Sequence, residues 1–168
     1  MANPHIGPYL PTRRLTGEHS DSVICLAFSA NSRYLASGSD DAMLVIWRVE
    51  DGIKLSSFRL ESPALSLVWD SLQENRLFVG CLDGTAAFID KFQVPFKFIC
   101  RNMHCLWIIV GELVPLLTGL RHTPVYALAV DPFAAPCRIA IGAGPEIHIA
   151  IAINRTGKFR FAGVINRY

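Results

Sequence analysis

Gly17-Glu18-His19, then Val23-Ile24-Cys25-Leu26-Ala27-Phe28, then Leu35-Ala36-Ser37-Gly38-Ser39-Asp40-Asp41 and Leu44-Val45-Ile46-Trp47 form the stretch on which the fold of this chain turns. Its apolar runs are short, rich in β-formers and bounded by Ser, Asn, Asp and Gly, which is the pattern of strands and not of helices. Asp40-Asp41 falls where a short acidic side chain can bond the backbone of a hairpin turn. No segment of the chain carries a long, capped helical period.

The same pattern returns twice. Ala64-Leu65-Ser66-Leu67-Val68-Trp69 and Val125-Tyr126-Ala127-Leu128-Ala129-Val130 echo Val23–Phe28. Leu77–Asp83 running into Gly84–Ile89, and Ile139–Pro145 running into Glu146–Ile151, echo Leu35–Trp47. Val23 and Ala64 are 41 residues apart and Asp41 and Asp83 are 42, whereas the next intervals are 61 and 62. An insertion of about 20 residues between Asp90 and Thr118 restores a period of roughly 40–45, the length of a four-stranded propeller blade. Outer strands follow at Ile53–Arg59 and Lys158–Val164. The inserted stretch, residues 92–111, is apolar and aromatic. It reads either as the fourth strand of the second unit plus an extra loop, or as codons of a retained intron.

Composition excludes several classes. Of the 168 residues 51% are hydrophobic and 18% charged, below the usual quarter of charged residues, so the chain is not disordered. The net charge is +2 and the basic residues form no stripe, so nucleic acid is not indicated as a partner. Lys97, Arg101, His104 and Glu112 interrupt the apolar stretch, which argues against a membrane span. Residues 1–20 hold no apolar run of signal-peptide length. Five cysteines at irregular spacing suit a reducing, intracellular compartment, cytoplasmic or nuclear.

The first unit resembles a blade of the WD-repeat (WD40, beta-transducin-like) family: an opening Gly-x-His, an Asp in the turn between second and third strands, and a Trp closing the third strand. Arg48 replaces the Asp that follows Trp in the family. The resemblance implies that His19, Ser37, Asp41 and Trp47 form a structural tetrad in which Trp donates to Ser, Ser to His and His to Asp. Unit two keeps Asp83 but has Leu60 at the His position and Ile89 at the Trp position. Unit three keeps His122, with Pro145 at the Asp position and Ile151 at the Trp position.

Ser37, His19 and Asp41 are also the residue types of a hydrolytic triad. The surrounding Leu35-Ala36-Ser37-Gly38-Ser39 lacks the glycine two residues ahead and the following helix of a nucleophile elbow, so no catalytic residue is expected. Cys100, His104 and Cys105 lack a second ligand pair at zinc spacing, so no metal is expected. Gly142-Ala143-Gly144 precedes Pro145-Glu146, with neither lysine nor helix, and reads as a turn; no cofactor is expected.

These readings predict an all-β fold, an incomplete β-propeller of about three four-stranded antiparallel blades. An N-terminal tail covers 1–16. Blade 1 covers about 17–59, blade 2 about 60–117 with the insertion near 92–111, and blade 3 about 118–168. The family resemblance implies a non-catalytic protein–protein interaction scaffold whose partners are other proteins. Three units are fewer than a closed ring needs, so the expectation is a piece of a larger propeller, with the ring completed by another chain. The competing readings are a β-rich hydrolase or metal-binding protein and a truncated gene product with no independent function.

Overall fold

A computed structural model describes residues 13–90, 92, 99–101, 104–106, 112–117, 123–134, 136–152 and 159–166. Every regular element among them is a β-strand. β1 (Val23–Phe28), β2 (Tyr34–Ser39), β3 (Met43–Arg48) and β4 (Lys54–Arg59) form an antiparallel sheet in chain order. The second sheet holds β5 (Ala64–Trp69), β6 (Leu77–Cys81) and β7 (Ala86–Asp90). After β7 come β8 (Ile99–Arg101) and β9 (His104–Leu106), which pair as a separate hairpin, and then β10 (Glu112–Leu117), which completes the second sheet against β7. The fourth strand therefore follows residues 92–111 instead of lying within them. β11 (Val125–Val130), β12 (Arg138–Ala143), β13 (Glu146–Ala152) and β14 (Phe159–Asn166) form the third sheet.

The three sheets share details below the level of strand order. In each, the register of the first pair shifts at the same place: between Val23 and Cys25, between Ala64 and Ser66, and between Val125 and Ala127. Such an irregularity sharpens strand twist, and its threefold recurrence marks one local design used three times. In the next pair, Leu35 faces Trp47, Leu77 faces Ile89 and Ile139 faces Ala150. The residue at the Trp position of unit three is therefore Ala150 and not Ile151. The cause is turn length: β12 and β13 are joined by Gly144-Pro145 alone, whereas Asp40–Ala42 and Leu82–Thr85 join the corresponding strands of the other sheets.

Alternation along the strands gives each sheet two apolar faces, and the core lies between sheets. Ala36, Leu44 and Ile46 of the first sheet, with Cys25 and Ala27, meet Leu67, Trp69, Leu77, Val79 and Ile89 of the second. The opposite face of the second sheet, with Val68, Phe78, Ala86 and Phe88, meets Leu128, Val130, Ile139, Ile141 and Ala150 of the third. Two glycines let the inner strands approach. A Cβ on Gly38 would lie 2.6 Å from Ala64 Cβ and 2.7 Å from Cys25 Sγ, and one on Gly80 would overlap Val125 Cγ1 and lie 2.6 Å from Ser66 Oγ. Burial between faces dominates the stability of such an arrangement, at about 25 cal/mol for each Å² of apolar surface removed from water.

Candidate functional site

On the first sheet, β2 carries Ser37 and β3 carries Trp47; the turn between them carries Asp41, and the segment ahead of β1 carries His19. Trp47 Nε1 donates to Ser37 Oγ at 2.8 Å, Ser37 Oγ lies 2.7 Å from His19 Nε2, and His19 Nδ1 lies 3.3 and 3.4 Å from the two Asp41 carboxylate oxygens. The proton positions follow from the inventory of donors. Ser37 Oγ accepts from the indole, which leaves its own O–H to donate to Nε2. Nε2 is then an acceptor, so the imidazole carries its proton on Nδ1 and donates it to Asp41.

Asp41 is held by more than the histidine. Its carboxylate accepts from the backbone N–H of Ser20 and of Met43, each at 2.8 Å. Burial pushes the carboxyl up, but the N–H groups of Ser20 and Met43, the Ser39 hydroxyl and the field of His19 outweigh it and hold the group below its ordinary value. Geometry of this kind fixes the entry of the chain into β1 and the turn into β3 at once.

The Asp–His–Ser order is that of a hydrolytic triad, but the surroundings of the serine differ from those of a nucleophile. Ser37 is 4% exposed in the middle of a strand, and its oxygen already accepts a hydrogen bond from Trp47. A nucleophile needs a free lone pair aimed at open space. This serine oxygen is engaged on both sides, by Trp47 of β3 and by His19 ahead of β1.

The second sheet replaces the relay with apolar contacts. Leu60, at the histidine position of the second unit, is 5% exposed within the core, and Ile89, facing Leu77, is fully buried. Asp83 retains the turn function, accepting from Thr85 N at 2.9 Å as Asp41 does from Met43. His122, the remaining element of unit three, lies outside the described residues. His148 is buried and its Nε2 lies 3.1 Å from Glu146 Oε2. Gly144, at φ +55°, is in the β12–β13 turn.

Sequence reading missed a second set of polar residues. The residue after each first strand, Ser29, Asp70 or Asp131, exchanges a backbone bond with the start of the next strand: Ser29 N with Tyr34 O, Asp70 N with Arg76 O, and Asp131 N with Arg138 O. Asp70 Oδ1 also accepts from Leu72 N at 2.8 Å, and Asp131 Oδ1 from Phe133 N at 3.0 Å. Arg138 reaches Asp131 at 2.6 Å on the surface. Its counterpart Arg76 is fully buried, donating from Nη2 to Asp90 at 3.0 Å, with Asp70 at 3.9 Å and its guanidinium 5.1 Å from the centre of the Phe88 ring. Cys137, against this group, has its thiol pushed up to about 12, first by burial and then by Asp70. The signal was an Asp one residue past the first strand with an Arg opening the second, in two of three units.

Cys100 faces Cys105 and Arg101 faces His104 across the β8–β9 hairpin. Among the described residues, no three His, Cys, Asp or Glu side chains are grouped to hold a metal ion. Among the same residues, no helix is long and apolar enough to cross a membrane.

Comparison with known proteins places this geometry. Residues 10–48 match the family described as "WD domain, G-beta repeat". Over 72 residues the chain is 32% identical to ribosome biogenesis protein bop1-A of Xenopus laevis, which is 43% of this chain and 10% of that protein. Over 44 residues it is 48% identical to protein HIR1 of Eremothecium gossypii, 26% of this chain and 5% of that protein. Among solved structures, the Cps50 (Swd1) β-propeller domain of Myceliophteria thermophila superposes with a TM-score of 0.70 at 16% identity, covering 93% of this chain and 45% of that one. U3-55K superposes with a TM-score of 0.66 at 16% identity, covering 93% and 42%. The sequence match falls on the unit that carries His19, Ser37, Asp41 and Trp47, and the structural match, which spans all three sheets, shows a β-propeller fold.

Proposed function

We propose that the chain is a non-catalytic scaffold that binds other proteins. The observation that carries this reading is the state of Ser37. The residue set closest to a catalytic triad is spent on holding a sheet together, with the serine oxygen buried and engaged by both Trp47 and His19. What the fold then offers is a set of loops on three rigid, packed sheets, the arrangement on which binding residues are displayed.

One of the relatives is by name a ribosome biogenesis protein, which favours an intracellular site. The matched segments span a tenth of that protein and a twentieth of HIR1, so the reading is of a scaffold class and not of a pathway. The tetrad's role is architectural in this proposal, and the blades run about 17–59, 60–117 and 118–168.

Ser37→Ala tests it. The scaffold reading expects a lowered Tm and a loss of partner binding only in proportion to the fraction unfolded. Loss of a hydrolytic turnover with the Tm unchanged would overturn it and restore the hydrolase alternative.

A further inference from the structure

The first junction between sheets has two unlike sides. The leading side is lined by small residues on its two inner strands: Cys25, Ala27, Ala36 and Gly38 in the first sheet, where Cys25 pairs with Gly38 and Ala27 with Ala36. The trailing side is bulky: Leu67 and Trp69 of β5 sit against those small residues, with Trp69 Nε1 donating to Ala27 O at 2.8 Å and Ala64 closing over Gly38.

Both ends of the described array present such a side with no sheet on it. In the first sheet, Leu26 and Phe28 occupy the positions of Leu67 and Trp69 and are 62% and 63% exposed, and Val23, at the position of Ala64 and Val125, is 49% exposed. In the third sheet, Ala127 pairs with Gly142 and Ala129 with Ala140, repeating in register the small set Cys25, Gly38, Ala27 and Ala36. Ala127 and Ala129 are exposed. A Cβ on Gly142 would meet only Ala127 of its own sheet, at 3.3 Å, whereas Gly38 and Gly80 each lie under the first residue of the next sheet. One end therefore carries the bulky side, the other the small side, and the two match as the sides of the first junction match.

We infer that two copies of this chain pair head to tail, the Leu26 and Phe28 face of each seated on the Ala127, Ala129, Ala140 and Gly142 face of the other. Phe28 of one copy covers Ala129 of the other as Trp69 covers Ala27, and Val23 closes over Gly142 as Ala64 does over Gly38. A twofold rotation about the ring axis makes both junctions alike, so the assembly closes instead of growing into a filament. Six sheets fall within the 4–8 of closed propellers. One copy matches 45% of the Cps50 (Swd1) propeller chain, so two copies supply about nine-tenths as much chain. The inference rests on reading the chain as an interaction module and names one partner, itself.

Light scattering on the purified full chain tests this. The expected mass is twice the 18.6 kDa of one chain. Phe28→Glu and Ala129→Lys, both at exposed positions, each reduce the protein to single chains, weakening association at least tenfold with the circular dichroism spectrum unchanged. Mixing the two variants in equal amounts restores a two-chain particle, because it holds one unaltered junction and one Glu–Lys junction. Leu26→Glu serves in place of Phe28→Glu if the latter misfolds. A folded single chain, an open-ended polymer, or a two-chain particle indifferent to both substitutions would overturn the inference. Because the mass is read with no other protein present, such a result leaves the scaffold reading to its own test at Ser37.

Discussion

Trp47 shows how far single residues could be read in advance. A Trp closing a strand ten residues after a Ser, with a Gly-x-His ahead of the first strand, is visible as spacing, and the side chains at those positions meet in one relay. Arg76 shows the limit. A charged residue at the edge of a loop reads as solvated, and only the packing of Asp70, Asp90 and Phe88 around it reveals a buried guanidinium. Trp47→Ala removes a core aromatic and leaves Ser37 short of its donor, and we expect a loss of about 3–5 kcal/mol in chemical denaturation. A change below about 1 kcal/mol, the ordinary cost of an exposed substitution, would contradict the role given to it. The carboxylate has its own signature. Asp41 titrates below its ordinary value of 3.8 in the folded chain, so its stabilisation is complete above that value and disappears as pH falls through it towards the folded value. The stability difference between the unaltered chain and Asp41→Asn should therefore shrink as pH is lowered from neutrality to about 2. Asp51, held low by Arg48, and Asp131, held low by the N–H of Phe133, keep part of the acid dependence in the variant. A difference that stays constant with pH would contradict the assignment.

At the scale of elements, period-two alternation and turn chemistry made the inner strands legible, because the residues that form them also form the core. Boundaries between repeats were less so. The misplacement of the Trp position in unit three, at Ile151 instead of Ala150, came from assuming equal turns where Gly144-Pro145 makes a shorter one. The delayed fourth strand of the second sheet was hidden for another reason: β10 pairs with β7 across a hairpin that interrupts the chain, and pairing partners far apart in sequence leave no local signal. Glycine at the junctions is the element-scale feature with the clearest consequence. Gly80 lies directly under Val125, so Gly80→Ala forces the second and third sheets apart, at a cost of about 1–3 kcal/mol for overpacking. Gly142→Ala, which meets only Ala127 at 3.3 Å, should cost clearly less. Equal melting temperatures for the two variants would contradict the packing described between sheets two and three.

For the whole molecule, repetition carried the inference from sequence to fold, since three units of one pattern cannot each bury two apolar faces alone and must stack. What repetition could not supply was which face meets which. That information sits in side-chain size and close approach: at the first junction small residues on the leading side meet bulky ones on the trailing side, with Trp69 over Ala27, and at the second Val125 lies over Gly80. The stacking of consecutive sheets in that order is the claim on which the propeller fold, the scaffold reading and the head-to-tail pairing all depend. A nuclear Overhauser spectrum of the isotope-labelled chain measures it directly. The account predicts a strong cross-peak between the Val125 methyl groups and the α-protons of Gly80, 45 residues apart in sequence. Absence of that cross-peak in a folded sample, with both residues assigned, would contradict it.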